Sequence, residues 1–395
     1  MKVKNVTNGL LLVGVAMLIF QMPSAFSQCP FTSGSTGADG DFTPTNSMPT
    51  TGWSISNNVV TVTNKSDGIF NFRSINISNA WTVRFTANTL NTPVYLLATG
   101  NVVIAGTIDV SGETVTGATA GHGGPGGYGG GNASLKDGWG HGPGFGVDCG
   151  SDYNAAFGRT LGLNCDDFGQ RRAYGTIDLV PMIGGSGGAA TSATYGGGGG
   201  GGAILIASSG TITMSGRISA DGGTGNNGEG SGGAIKLMAN TITGEGVISA
   251  VPYNGSGGEG RIRLEACVDQ RMSATAPSAT FATPGIIILN PTPTITVASI
   301  GGQNTPWPPS GSITSTPDMT VTNLPNTATI SVAASYISTG TTFNIIINPV
   351  SGSNLVASGT LSSGNFTLSS GSVYMPVYTD RVWRVNALIP YIARP

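Results

Sequence analysis

Charged side chains are scarce in this sequence. Of 395 residues, 17 are Lys or Arg and 19 are Asp or Glu, which gives a formal net charge of −2. Nucleic-acid binding and attachment to an anionic membrane surface both need clustered basic residues. We therefore predict that neither a nucleic acid nor a charged lipid surface is a partner.

Histidine and cysteine are also few, with two and four residues respectively. A structural zinc site needs four such ligands at short, regular spacings, which this sequence does not offer. We predict no bound metal and no other cofactor, and we return to calcium below as an alternative.

Long apolar runs are absent except at the start of the chain. Residues 9–20 (GLLLVGVAMLIF) follow Lys2 and Lys4 and precede the small residues Ala25 and Ser27. This order is typical of a secretory signal peptide, which we predict to span residues 1–27. A membrane anchor is the alternative, but the run is short for a span. We expect a mature chain that is exported and has no transmembrane segment.

An even number of cysteines in an exported chain favours disulfides. Cys149 and Cys165 would close a short loop and are the favoured pair. A second bond between Cys29 and Cys267 follows only by elimination.

Glycine, by contrast, is abundant, with 64 residues, and many of these lie in a repeat. Residues 201–223 (GGAILIASSGTITMSGRISADGG) match residues 232–255 (GGAIKLMANTITGEGVISAVPYNG) with one deletion. Residues 94–112 form an earlier copy, and residues 259–266 a truncated one. Each unit holds short segments of alternating hydrophobicity, which indicates strands with one face buried.

Stacked units would align their apolar residues into ladders. Ile204, Ile235 and Ile262 fall at one inward position, whereas Leu205, Lys236 and Arg263 are expected to point outward into solvent. Further inward pairs are Ile206 with Leu237, Ile212 with Ile242 and Ile218 with Ile248. A single unit cannot bury its own apolar face, but neighbours in register can. We predict an all-β parallel β-helix, or β-solenoid, over residues 28–290.

Two roles are expected for the glycines. Gly106, Gly216 and Gly246 lie at a corner before the third segment of each unit, where we expect a positive φ. The richer tracts, including the seven consecutive glycines 196–202, should form the turns between units. There the backbone can lie close to its neighbours.

A long insert interrupts the repeat at about residues 113–200, and a loop of this length is usually functional or disordered. It contains both histidines and many of the aromatic residues. The candidate ligand-binding residues of this insert are Trp139, His141, Tyr153, Asp148 and Asp152. Oxygen ligands from its acids make calcium the alternative cofactor, although their spacing matches no EF-hand loop.

The chain changes character at about residue 291. Segments rich in Thr, Ser, Val and Ile then recur every eight to twelve residues between Gly and Pro turns. This rhythm predicts a small antiparallel, immunoglobulin-like β-sandwich over residues 291–395.

The repeat segments 94–112 and 196–223 resemble those of secreted, glycine-rich bacterial β-helix-repeat proteins of largely uncharacterised function. The resemblance implies an extracellular or outer cell-surface location and carries over no catalytic residue. A polysaccharide lyase or hydrolase would need paired carboxylates on adjacent coils, which the repeat strands lack. We therefore expect a non-catalytic structural or adhesive protein that binds surface glycans or other copies of itself. The alternatives are a polysaccharide-active enzyme and a carbohydrate-binding protein, each with the insert as its site.

Overall fold

A computed structural model describes residues 29–46, 52–133, 174–190, 194–226, 228–287 and 294–305. It also describes Ala155, several residues between 140 and 146, and separate segments between residues 319 and 385. The described part of the chain contains strands and no helix.

The strands are numbered in chain order and most are short. They are β1 (Asp41–Phe42), β2 (Trp53–Ser56), β3 (Val59–Thr63), β4 (Ile69–Phe72), β5 (Ser74–Ile77), β6 (Thr82–Thr86), β7 (Val94–Ala98), β8 (Val102–Ile104), β9 (Thr107–Asp109), β10 (Ala203–Met214), β11 (Arg217–Ser219), β12 (Ala234–Gly244), β13 (Val247–Ser249), β14 (Arg261–Arg271), β15 (Thr280–Ala282), β16 (Thr294–Ile300), β17 (Gln303–Asn304), β18 (Met319–Val321), β19 (Thr327–Ala328), β20 (Ile330–Ser335), β21 (Thr342–Ile347), β22 (Leu355–Thr360), β23 (Thr367–Ser369), β24 (Val373–Tyr374) and β25 (Trp383–Val385).

Strands β1 to β15 form two sheets in which successive repeat units lie side by side. The nine-stranded sheet runs β1-β5-β8-β10-β12-β14-β15, with β4 and β7 joined to β10, and the pairs within it are parallel. The six-stranded sheet runs β13-β11-β9-β6-β3-β2 and is parallel except for the β2–β3 hairpin. Each unit therefore contributes first to one sheet and then to the other.

The register of these strands confirms the predicted ladders. Ile204 lies opposite Ile235, which lies opposite Ile262, and Ile218 lies between Ile108 and Ile248. Aliphatic residues from both sheets form one buried cluster, in which most side chains are 5% exposed or less. Burial of these ladders holds the units together, since each fully buried aliphatic side chain contributes about 1.5–3 kcal/mol.

The prediction that Leu205, Lys236 and Arg263 point into solvent was wrong, because other segments cover these positions of the nine-stranded sheet. Leu205 and Lys236 are each 4% exposed, and the side chain of Arg263 is 12% exposed. The covering residues come from Tyr174–Met182, from the N-terminal segment around Phe31 and from Ile287. Strand β7 and the first halves of β10 and β12 are thus buried on both faces. Strand alternation alone could not reveal this, because the covering segments are distant in sequence.

The expectation for the corner glycines was also wrong. Gly106, Gly216 and Gly246 are not among the glycines with a positive φ. Glycine is needed for space instead, because a Cβ on Gly106 or Gly216 would lie closer than 3.0 Å to backbone atoms of the neighbouring unit or turn.

The glycine-rich tracts form a bundle of extended segments beside the two sheets. We call it the glycine bundle; it comprises residues 110–133, 184–190, 196–202, 220–226 and 228–233. The amides of Gly196, Gly199 and Gly202 donate to the carbonyls of Gly117, Glu113 and Val110 at 2.7–3.0 Å. Bonds from segment 196–202 to segment 110–117 therefore recur at every third residue, which is the period of a polyproline II helix.

The other amides of the central segment bond to two further neighbours with the same period. Gly197 and Gly200 donate to residues 131 and 128, and Gly198 and Gly201 donate to residues 228 and 231. The carbonyls of this segment accept bonds from residues 121, 124, 185, 188 and 223. Buried peptide groups require hydrogen-bond partners. This segment finds them for its amides and carbonyls without pairing as a β-strand.

Close packing explains why the seven central residues are all glycine. At each position from 196 to 202 a Cβ would come closer than 3.0 Å to the backbone of an adjacent segment. The run is neither a tether nor a simple turn, because it occupies the middle of the bundle.

Cys29 and Cys267 are joined by a disulfide. Cys149 and Cys165 lie outside the described residues, so the bond between them stays a prediction.

The C-terminal strands β16 to β25 pair antiparallel, in a four-stranded sheet and three two-stranded sheets. They lie in the region where the recurring Thr-, Ser-, Val- and Ile-rich segments predict strands.

Candidate functional site

The turns of the glycine bundle that lie farthest from the sheets form the candidate site. Moving along the bundle away from the sheets, Val110 pairs with Gly202, then Glu113 with Gly199, and finally Gly117 with Gly196. The segments around and beyond this last pair comprise residues 114–120, 131–133, 194–196 and 224–226, and we call them the distal rim.

Backbone hydrogen bonds hold these turns side by side. Ala133 donates to Ala118 at 2.9 Å, and Val115 donates to Thr224 at 2.8 Å. Side chains add to these links: the Asn132 Oδ1 accepts from the Ala120 amide at 2.9 Å. Hydrogen bonds therefore link the described segments of the rim to one another.

The exposed groups of the rim are mostly uncharged hydroxyls and amides. An aromatic ring is present too, on Tyr195, which is 39% exposed. The remaining exposed polar residues of the rim are Thr114, Thr116, Thr119, Asn132, Thr194 and Asn226. Most of these residues lie in the predicted insert, but none of them is among the candidate ligand-binding residues predicted from the sequence. The sequence feature that could have identified them is the Thr- and Ala-rich stretch 114–120 between glycine tracts.

An imidazole–carboxylate pair lies beside the rim. The Nδ1 of His122 is 2.7 Å from the Oε2 of Glu113, which also accepts the His122 backbone amide at 3.1 Å. These hydrogen bonds and the charge of a protonated imidazole lower the pKa of Glu113. The His122 side chain is 86% exposed, so the pair is open to solvent and fastens two adjacent segments of the bundle.

Of the predicted ligand-binding residues, the structure describes only His141. Its backbone amide donates to Gly129 at 3.0 Å and its carbonyl accepts from Gly187 at 2.9 Å, so it is hydrogen bonded to two segments of the glycine bundle. The other candidates, namely Trp139, Tyr153, Asp148 and Asp152, lie outside the described residues.

A cluster of charges lies between the nine-stranded sheet and the segment 174–182. The Nζ of Lys236 is 2.8 Å from Glu265 Oε1 and donates to the carbonyl of Asp178 at 3.0 Å. Arg263 Nε lies 3.1 Å from the same carboxylate, whose other oxygen accepts the Gly285 amide at 3.0 Å. We call Lys236, Arg263, Glu265 and Asp178 the charge cluster.

Glu265 is ionised within this cluster. Burial by itself would raise the pKa of its carboxyl, but hydrogen bonds from Lys236, Gly285 and Arg263 outweigh it and lower the pKa. The side chains of Lys236 and Glu265 are each 5% exposed. The cluster therefore fastens the end of the insert to the sheet, and a buried carboxylate with three donors has little remaining capacity for a ligand.

The acids on the six-stranded sheet also have partners. Asp109 pairs with Arg84 at 2.9 Å. Asp221 accepts from Ser219 at 2.6 Å, from Ser249 at 2.5 Å and from Arg217 at 2.8 Å. These bonds join neighbouring units at the point where the chain leaves the sheet for the glycine bundle.

Two partly buried tyrosines, Tyr128 and Tyr174, lie within or against the glycine bundle. Tyr174 donates its hydroxyl to Gly184 at 2.9 Å and accepts from Ser186 at 2.9 Å. Burial raises the pKa of Tyr174, and it raises that of Tyr128 to about 12. Both rings are therefore neutral anchors for the insert.

The described residues contain no group of three or more His, Cys, Asp or Glu arranged to hold a metal ion. They also contain no helix long and apolar enough to cross a membrane. No family model, curated protein or solved structure matches this chain.

Proposed function

We propose that this protein is a secreted or surface-displayed bacterial adhesin, in which a rigid all-β scaffold presents the distal rim to surface glycans. The rim carries this proposal, because four turns held together by backbone bonds provide an exposed surface of fixed shape. Binding residues are disproportionately found on loops that a rigid scaffold positions.

We further propose that residues 28–290 form a parallel β-helix and residues 291–395 an immunoglobulin-like sandwich. Parallel stacking of successive units in two sheets supports the first assignment. Antiparallel pairing of short strands supports the second. A signal peptide at residues 1–27 would direct this chain out of the cell.

The chemistry of the rim favours a neutral glycan. Threonine hydroxyls and asparagine amides can exchange hydrogen bonds with sugar hydroxyls, and Tyr195 offers a ring face for a sugar to pack against. The described residues of the rim include no charged side chain that would favour an ionic ligand.

Several observations favour a binding role over an enzymatic one. Asp109, Asp221 and Glu265 are engaged with arginines, serines or Lys236, in contacts that join units or fasten the insert. A glycosidase instead needs two carboxyl groups that converge on one bond of the substrate.

A glycan array tests the proposal directly. We expect the mature protein to bind a subset of neutral glycans, and the Tyr195→Ala variant to lose most of that binding. Phe281→Ala is the matched control, because Phe281 is 63% exposed on β15, outside the rim. Equal loss in both variants, or no glycan bound by the wild type, would contradict a glycan-binding rim.

Two further measurements separate the alternatives. Release of reducing ends or unsaturated products from polysaccharides would show an enzyme instead of an adhesin. Concentration-dependent assembly that Tyr195→Ala abolishes would identify other copies of the chain as the ligand of the rim.

A further inference from the structure

The N-terminal segment of the described chain lies across five successive units of the nine-stranded sheet. Residues 29–37, which we call the strap, have alternating exposure: Phe31 is 7% and Ser33 1% exposed, whereas Pro30, Thr32 and Gly34 face solvent. The strap is not hydrogen bonded as a strand of either sheet. Instead, its inward residues bond to one unit after another.

The contacts follow the order of the units from last to first. Cys29 is bonded to Cys267 on β14. The Phe31 amide donates to Asn240 on β12 at 2.9 Å, and Asn240 donates back to the Phe31 carbonyl at 3.1 Å.

The remaining bonds reach the earlier units. The Ser33 amide donates to Ser209 on β10 at 3.0 Å, and its hydroxyl donates to the Ala98 carbonyl on β7 at 2.7 Å. The Ser35 hydroxyl donates to the Phe72 carbonyl on β4 at 2.8 Å. These partners occupy equivalent or adjacent register positions in their units.

The geometry points to an oxidation-dependent lock, in which the strap docks along the stack and the Cys29–Cys267 bond then secures it to the last full-length strand. The bonds of Phe31 and Ser33 place Cys29 beside Cys267, although 238 positions separate them in the chain. Docking by hydrogen bonds alone is reversible, and the covalent bond makes it permanent in an oxidising compartment. The inference is independent of which ligand the rim binds.

The oxidation step requires an external disulfide. The thiolate of one cysteine attacks a disulfide-bonded oxidant, either a protein or a small molecule, and displaces one of its thiols. The second cysteine then attacks the mixed disulfide and releases the other thiol. Two protons and two electrons leave the cysteine pair, and the oxidant becomes a dithiol.

Hydrogen exchange on the mature protein tests this lock. We compare the oxidised protein, the same protein after reduction, and the double variant C29S/C267S. We expect exchange in the strap, and in β14 to which the disulfide joins it, to accelerate at least tenfold on reduction. Exchange in β7, in the middle of the stack, should change little.

A matched variant separates the covalent bond from the docking contacts. Asn240→Ala removes both bonds to Phe31 but keeps both cysteines. In the oxidised state its strap should remain more protected than the strap of the reduced wild type. During refolding with oxidised glutathione, its disulfide should form more slowly than in the wild type.

Two results would overturn the inference. One is equal strap exchange in the oxidised and reduced proteins, which would mean that the hydrogen bonds alone hold the strap. The other is an unchanged rate of disulfide formation in Asn240→Ala, which would mean that docking does not precede oxidation. Neither depends on glycan binding, so failure of the lock and failure of the adhesive function remain distinguishable.

Discussion

At the scale of single residues, glycine acts in this protein mainly by lacking a side chain. The segment 196–202 has neighbours on all sides, and its amides bond to three of them in turn. No position in this segment has room for a Cβ. Collagen shows the same requirement at the crowded axis of its triple helix, where only glycine fits.

We predict that Gly199→Ala destabilises the protein by at least about 2 kcal/mol, because overpacking in a close-packed interior costs this much. The added methyl group would lie closer than 3.0 Å to the carbonyl group of His122. Thermal unfolding of the purified variant measures the effect.

Gly117→Ala is the control, since it lies in the same bundle and a Cβ there meets nothing within 4 Å. We expect its midpoint to stay near that of the wild type. Equal destabilisation by both substitutions would show that backbone flexibility, not space, explains the glycines.

At the scale of elements, the charge cluster joins the end of the insert to strands β12 and β14. Lys236 contacts Glu265 from β14 and the carbonyl of Asp178 from the insert. Removing one member of a buried ion pair leaves a charge without compensation, which costs about 3–5 kcal/mol.

We therefore predict that Lys236→Met lowers the free energy of unfolding by about 3 kcal/mol. Lys65→Met is the control, because Lys65 also pairs with an acid, Asp39, but its side chain is 39% exposed. Exposed pairs contribute at most about 1 kcal/mol. Urea unfolding of both variants gives the comparison, and a smaller loss for Lys236→Met than for Lys65→Met would contradict a fastening role.

The same cluster predicts an acid-sensitive contribution to stability. The pKa of Glu265 is lower in the folded protein than its ordinary value of 4.5. The unfolded chain therefore takes up a proton first as the pH falls, and the stabilisation is present above pH 4.5 and is lost below it. Glu265→Gln should be less stable than the wild type near neutrality, and its stability should fall less steeply in acid. Parallel slopes for the two proteins would refute this.

At the scale of the whole molecule, the two buried clusters draw only on residues 31–287. The strands after residue 294 pair among themselves. Among the described residues, the two buried clusters thus include no side chain from the C-terminal region.

We predict that residues 28–290, produced alone in oxidised form, unfold with the same thermal midpoint as this region in the full-length protein. Residues 38–290, which lack the strap, should unfold at a lower temperature because Phe31 and the disulfide are missing. Calorimetry compares the three proteins. A large loss in residues 28–290 would show that the C-terminal strands stabilise the stack.

Much of the stack could be predicted without coordinates. Isoleucines that recur at equivalent positions of each unit can be buried only when units lie in register, so the pairing of Ile204, Ile235 and Ile262 follows from spacing. The strand segments of the C-terminal region follow from local composition in the same way. Local patterns carry these features because the interacting residues repeat with a regular period.

The distal rim and the strap could not be predicted from the sequence, because both are formed by contacts between distant parts of the chain. Ser33 meets Ser209 across 176 positions, and no local pattern marks that encounter. Likewise, the amides of Gly196–Gly202 bond to segments before and after them in the chain. The sequence does not specify these partners, because glycine can adopt many backbone conformations. Lys236 resembles a solvated strand residue until the insert covers it. Alternation and repeats in the sequence therefore determined which residues stack. Only the tertiary structure decided what covers the stack, because the covering segments form hydrogen bonds with partners that are distant in the sequence.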